Sequence, residues 1–202
     1  MKNLPNQFFY SKEEDRLNVI SHGIGFILSI IGLIFLLNKG LQDFNLLRFL
    51  SFLIYGISLS TMYIASTLYH NSKTPEGRYK FRLFDMISIY LLIAGSYTPF
   101  TLTVLINSGG LTLFLLVWMI AFIGIIWKIF TVGNYNISST LLYIFMGGLW
   151  LFFIDAFINE IPQNALMWIY ASVSTYLIGV FFYLADSKVK YNHFIWHIFV
   201  LL

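Results

Sequence analysis

The 202-residue chain is expected to fold as a single all-α domain, residues 1–202: a polytopic membrane protein with a seven-transmembrane helix bundle, the seventh helix truncated at the chain end. Three observations carry that expectation. Hydrophobic residues make up 58% of the chain and charged residues 10%, with a mean hydropathy of +0.77, whereas a soluble domain needs roughly 25% charged residues to face water. Apolar runs of bilayer-spanning length, about 20 residues each, recur along the whole chain. Positive charge falls almost entirely in alternate connections between those runs.

The runs lie at about 18–38, 47–69, 84–106, 111–131, 138–158 and 165–185, and a seventh starts at Asn192. From Asn192 to Leu202 there are eleven residues. Eleven helical residues rise about 16 Å, half of a hydrocarbon core of about 30 Å. The seventh span is therefore expected to be cut short. Connections are brief and carry helix breakers: Asn107-Ser-Gly-Gly110, Gly133-Asn134, and Asn159 through Asn164 with Pro162. Short connections force neighbouring helices to run antiparallel. The stretch Gly95-Ser-Tyr-Thr-Pro99 is expected to break span three, and Gly147-Gly148 to mark a close helix approach in span five.

Lys2, Lys12, Arg16, Lys73, Arg78, Lys80, Arg82, Lys128, Lys188 and Lys190 belong to one side of such a bundle, and only Lys39 and Arg48 to the other. Ten against two predicts a cytoplasmic N-terminus in the cell membrane. The net charge of +3 then records loops facing anionic lipid, so membrane lipids are the expected partners. No basic stripe with interleaved aromatics occurs outside the apolar segments, which sets nucleic acid aside. The charged first residues and the lack of a small-residue exit argue for a retained first span rather than a cleaved signal.

The chain contains no cysteine, so disulfides and thiolate metal sites are excluded and a transition metal must use histidine and carboxylate. In the antiparallel order, His22, His70, His193, His197 and Asp85 all fall at the same end of the bundle. His193 and His197 are spaced i, i+4 and share a helical face. One helix can thereby offer two nitrogens to one ion, with His70 from span two as the natural third ligand and the fourth position left to water. Asp85 can orient or deprotonate that water. Ser66, one turn from His70 on the same face, can hydrogen-bond it or a substrate carbonyl. Bland readings stand beside these. Histidines near helix ends also settle at the membrane interface, Asp85 can pair with Arg82 or a helix dipole, and Ser66 can bond its own i−4 carbonyl. His22 can bond neighbouring backbone. Ionisable groups inside spans are costly, however, and their co-location favours a shared task.

The segments Glu13-Glu14 through Asn18, Ser21-His22-Gly23-Ile24-Gly25, Ser66-Thr-Leu-Tyr-His70, Asp85, Ile89 through Pro99 and His193-Phe-Ile-Trp-His197 together resemble the bacterial haemolysin III family. That family is grouped with the progestin and adipoQ receptors, adiponectin receptors included. The resemblance spans nearly the whole chain in order and implies seven helices with a zinc ion (Zn2+) near the inner leaflet. By the same resemblance His70, His193 and His197 match the zinc ligands, Asp85 the aspartate acting through water, and Ser66 the motif serine. His22 carries no such role and is at most an outer residue of the site. The implied activity is zinc-dependent hydrolysis of a lipid amide or ester, with Asp85 as general base and Ser66 assisting the oxyanion. Two other readings accompany it: a receptor-like or membrane-homeostasis protein with structural zinc, and a pore-forming cytolysin. The spans show no continuous polar stripe that would line a channel.

Overall fold

The computed structural model describes residues 10–42, 44–131, 136–186 and 189–202. Lys2, Lys188 and the Gly133-Asn134 turn lie outside the described residues. All regular structure among those described is helical: α1 (Lys12–Leu41), α2 (Leu46–Asn71), α3 (Pro75–Pro99), α4 (Leu111–Thr131), α5 (Asn136–Gly147), α6 (Ile154–Glu160), α7 (Gln163–Leu184) and α8 (Asn192–Leu201). Six segments are long and apolar enough to cross a bilayer, α5 and α6 acting together as the fifth. The α8 helix takes the seventh place, packed against α7 and back against α1 so that the ring closes.

Local sequence sets the helix starts. Ser11 caps α1 by accepting from the Glu14 N–H, and Glu13, Glu14 and Asp15 in the first turn complement the helix dipole. Thr74 caps α3 through the Gly77 N–H, and Pro75 fills the first helical position, where its missing N–H costs nothing. Tyr191, at a φ of 66° in the left-handed region, makes the tight turn from which α8 departs.

Outward faces are apolar: Phe35, Phe130, Phe152 and Phe181 are all largely exposed. Such surfaces are stable only against lipid. The interior is mixed. Tyr90, Ala94, Leu113, Val117, Ala121 and Met146 fill the space between α3, α4 and α5, whereas Ser51, Ser58, Ser60, Thr98 and Thr101 are buried elsewhere.

Two expectations are corrected. The α3 helix runs unbroken through Gly95–Pro99, and the irregular part comes later, as π-helical turns over Phe100–Val104 and Ile106–Gly110. Pro99 supplies no N–H to the preceding turn, and the hydroxyls of Thr98, Thr101 and Thr103 bond the carbonyls of Ala94, Tyr97 and Pro99, a pattern that bends helices. Gly147-Gly148 is not a close-approach site, because a Cβ at Gly147 meets nothing within 4 Å. The pair instead marks where α5 gives way to the tighter turn Leu149–Phe153, and the Met146 and Gly147 carbonyls accept from the Tyr97 hydroxyl at 3.1 and 2.7 Å. Arg78 and Lys128, counted above on the positive side of the bundle, are buried inside it; the Lys128 ammonium donates to Ser139 Oγ at 3.0 Å.

Close approach is carried by Gly95, where an added Cβ collides with the Ser58 side chain and so sets the α2–α3 spacing. The Gly95→Val variant is expected to lose about 1–3 kcal/mol through overpacking, read as a lower unfolding midpoint in detergent.

Candidate metal centre

The centre is assembled at the end of the bundle where α1, α3 and α8 start and α2 and α7 finish. His70 is in the last turn of α2, whose final carbonyls lack helical partners. The buried Arg78 guanidinium supplies them: Nη1 donates to the carbonyls of Tyr69 at 3.2 Å and His70 at 3.0 Å. Its Nη2 donates to Asp15 Oδ1 at 2.7 Å, and the same oxygen lies 2.9 Å from His70 Nδ1. One arginine therefore pins the end of α2 to the start of α1 and holds the carboxylate that orients His70.

His193 and His197 project from the first two turns of α8. His70 Nε2 and His193 Nε2 are 3.2 Å apart, and one ligand-capable atom from each of His70, His193 and His197 lies within 4.8 Å of the others. All three rings are buried, at 3%, 6% and 1% exposure, respectively. His193 Nδ1 is 3.1 Å from the Tyr10 hydroxyl and 3.2 Å from Asp186 Oδ2, and Tyr10 donates to that same oxygen at 2.7 Å. Burial pushes the Asp186 carboxyl up, but the hydrogen bonds from His193 and Tyr10 outweigh it and hold it below the usual carboxylate value. Burial also keeps the Tyr10 phenol far above its ordinary value, so it stays a donor. His197 Nδ1 is 3.3 Å from Ser21 Oγ.

This donor set fits a metal ion. His70 and His193 each turn Nδ1 toward a carboxylate oxygen, so the Nδ1 atoms carry the protons and two bare Nε2 lone pairs face one another. That contact is repulsive without a cation between them. Two nitrogens bound to zinc at about 2.0–2.1 Å in tetrahedral geometry stand about 3.3 Å apart, close to the spacing seen. The three buried histidines can therefore hold a metal ion.

Beside the trio lies a cavity of about 280 Å³. Ser66, Asp85 and Arg82 form part of its polar wall, and Met62, Ile89 and Leu92 part of its apolar one. The Asp85 carboxyl is within reach of the Ser66 hydroxyl. Arg82 Nη1 donates to the Tyr69 hydroxyl at 2.8 Å. Asp85 does not belong to the three-histidine cluster itself. His22, at 2% exposure, stacks face to face on His197 with ring centroids 3.6 Å apart and planes 10° from parallel.

The residues that sequence reasoning missed include Tyr10, Asp15, Ser21 and Asp186, all of which touch the outer nitrogens of the histidines. A signal existed for two of them. Asp15 and Ser21 lie on one side of α1 with Asn18 and His22, at spacings of three and four. Nothing in the sequence marked Tyr10 or Asp186, which precede α1 and follow α7.

The fold and the cluster together define a polytopic membrane protein with a three-histidine centre at one end of its bundle. The haemolysin-III related family model matches residues 10–202, and the chain belongs to that family. It is 39% identical over 189 residues to Hemolysin-3 of Bacillus cereus, covering 94% of this chain and 86% of that protein. The Hemolysin-3 homolog of Bacillus subtilis is 34% identical over 192 residues, 95% of this chain and 90% of its own length. More distantly, the human monocyte to macrophage differentiation factor is 27% identical over 154 residues, 73% of this chain and 63% of that protein. No solved structure matches the chain.

Proposed function

We propose that this protein is a zinc-dependent membrane hydrolase that cleaves an amide or ester bond of a lipid drawn from the inner leaflet, with its N-terminus cytoplasmic in the cell membrane. One observation carries the reading: three buried histidines converge within metal-binding distance beside a cavity lined by both a carboxylate and a hydroxyl and by apolar side chains. Three imidazoles with the fourth position left to water match one known form of catalytic zinc site, and His70, His193 and His197 are the proposed ligands. A divalent ion held there supplies Lewis-acid polarisation of a carbonyl and makes a nearby water more acidic.

The chain's own residues supply the rest. Asp85 takes the proton from the attacking water as general base and returns it to the leaving group. Ser66 donates its hydroxyl to the substrate carbonyl oxygen as negative charge builds there. Met62, Ile89 and Leu92 accept acyl methylenes and exclude bulk water. Asp85→Ala is expected to lower fatty-acid release from amide- and ester-linked lipids by about 10²–10⁴-fold while leaving zinc content at the wild-type level. The assay uses purified protein reconstituted in liposomes. Zinc-replete wild type that releases no product sinks the hydrolase reading.

A second reading, structural zinc, draws on the fact that the three imidazoles come from helices far apart in sequence, α2 and α8. An ion there ties the ends of the ring together. Collapse of the unfolding midpoint on chelation, with no turnover, selects it. The pore-forming reading gains no support from the α3–α5 interior, which is filled by tyrosine and aliphatic side chains.

A further inference from the structure

The first turns of α1 supply no ligand and no catalytic group, yet Asp15, Asn18, Ser21 and His22 all lie against the three histidines. Asp15 Oδ1 is at His70 Nδ1 (2.9 Å), Ser21 Oγ at His197 Nδ1 (3.3 Å), and the Tyr10 hydroxyl, one residue before the cap, at His193 Nδ1 (3.1 Å). Each histidine thus has its outer nitrogen against a different group from one short stretch, residues 10–21.

We infer that this stretch of the chain is a positioning strip for the metal centre: together with Asp186 at His193, it fixes the tautomer of all three histidines so that every Nε2 is left bare for the ion. The inference rests on the metal reading above and adds to it which residues set the affinity.

The proton positions follow from the partners. The Asp15 carboxylate has no proton to give, and Arg78 donates to the same oxygen, so His70 Nδ1 must be the donor in that pair. Asp186 plays the same part for His193: Tyr10 already donates to Asp186 Oδ2, and the His193 N–H is shared between that carboxylate and the phenol oxygen. Ser21 donates its own hydroxyl hydrogen to the Asn18 carbonyl at 3.1 Å. Its oxygen is left to accept, so His197 Nδ1 is again the donor. Three independent partner sets give the same tautomer. Asn18 adds to the strip: its side-chain amide lies 3.4 Å from His70 Nδ1, and its Oδ1 has no hydrogen-bond partner among the described residues. A half-turn of that amide exchanges oxygen for nitrogen and offers the buried acceptor to the His70 N–H. His22 completes the arrangement from the side, its ring stacked on His197 so that the imidazole cannot swing.

Groups that hold a ligand's second nitrogen orient the ring and raise its basicity, and their loss weakens metal affinity by about 10–100-fold. That figure is the expected effect for Asp15→Asn, and about tenfold is expected for Ser21→Ala and for Tyr10→Phe. The Tyr10→Phe change keeps the ring against His193 and removes only the hydroxyl.

The test is cobalt(II) titration of the purified, metal-stripped full chain in detergent, following visible absorption, with zinc affinity obtained by competition. Apo-protein unfolding midpoints are measured alongside. Weaker cobalt and zinc binding in Ser21→Ala and Tyr10→Phe, at an unchanged apo midpoint and with recovery in Ser21→Thr, establishes the strip. A purely structural role would move the apo midpoint and leave the affinity of the folded fraction alone. Wild-type affinity and an unaltered cobalt spectrum in all three variants overturn the inference while the metal reading stands. Wild type that takes up neither ion overturns the metal reading, and the inference falls with it. Because Asp15→Asn also weakens the contact with Arg78, the Ser21 and Tyr10 variants decide the matter if that protein folds poorly.

Discussion

The His70→Ala variant is expected to purify as a folded protein with its bound zinc reduced from about one ion per chain to background. In the proposed centre His70 is the one ligand from α2, and without it the trio becomes two nitrogens one turn apart on a single short helix. Such a pair leaves a tetrahedral ion with half its coordination shell to water and no link across the ring. The fold is expected to persist because Arg78 still neutralises Asp15 and still caps the Tyr69 and residue-70 carbonyls. Metal analysis and the unfolding midpoint are read on the same sample. A variant that keeps a full equivalent of zinc contradicts the assignment of His70, whatever its stability.

The Arg78→Ala variant reverses that pattern, with the largest expected loss of stability. The side chain is 1% exposed, its guanidinium serves the C-terminus of α2, and it is the cation paired with Asp15. Removing one partner of a buried pair costs about 3–5 kcal/mol, because the other charge is left without compensation. Asp15 keeps some solvent contact, with its side chain 18% exposed, so the lower end, about 3 kcal/mol, is expected. The loss is measured by equilibrium unfolding in mixed micelles. Arg78→Lys is expected to recover part of it: an ammonium retains the charge but cannot reach two carbonyls and a carboxylate in one plane. A midpoint unchanged in Arg78→Ala means the tie between α1 and α2 is not a stabilising contact.

Much of this architecture was legible in the sequence because lipid imposes a simple code. Hydropathy located the six long apolar helices, and for α4 the expected 111–131 coincides with Leu111–Thr131. Two helix starts were placed late: α1 at 18 where the helix begins at Lys12, and α3 at 84 where it begins at Pro75. Arg78, Lys80 and Arg82 made that stretch look like loop, but arginine and lysine are good helix formers once a cap and a proline start the turn. The gathering of the histidines was also legible, since antiparallel order alone brings the end of one span beside the start of the next.

What could not be read was the set of partners around the rings. The Tyr10–His193 and Ser21–His197 contacts join residues more than 170 positions apart, and no periodicity records a contact between side chains on helices that meet only when the ring closes. The burial of Arg78 and Lys128 was hidden for a related reason. Counting charge assigns a residue to a side of the membrane, but says nothing about whether its head group turns outward to water or inward to a carboxylate or a hydroxyl.

The most direct measurement is elemental analysis of the wild-type chain purified without added metal, paired with His193→Ala. About one zinc per chain is expected in the wild type and almost none in the variant. A native, fully folded wild-type protein that carries no transition metal, and takes none up on dialysis against zinc, contradicts the three-histidine centre.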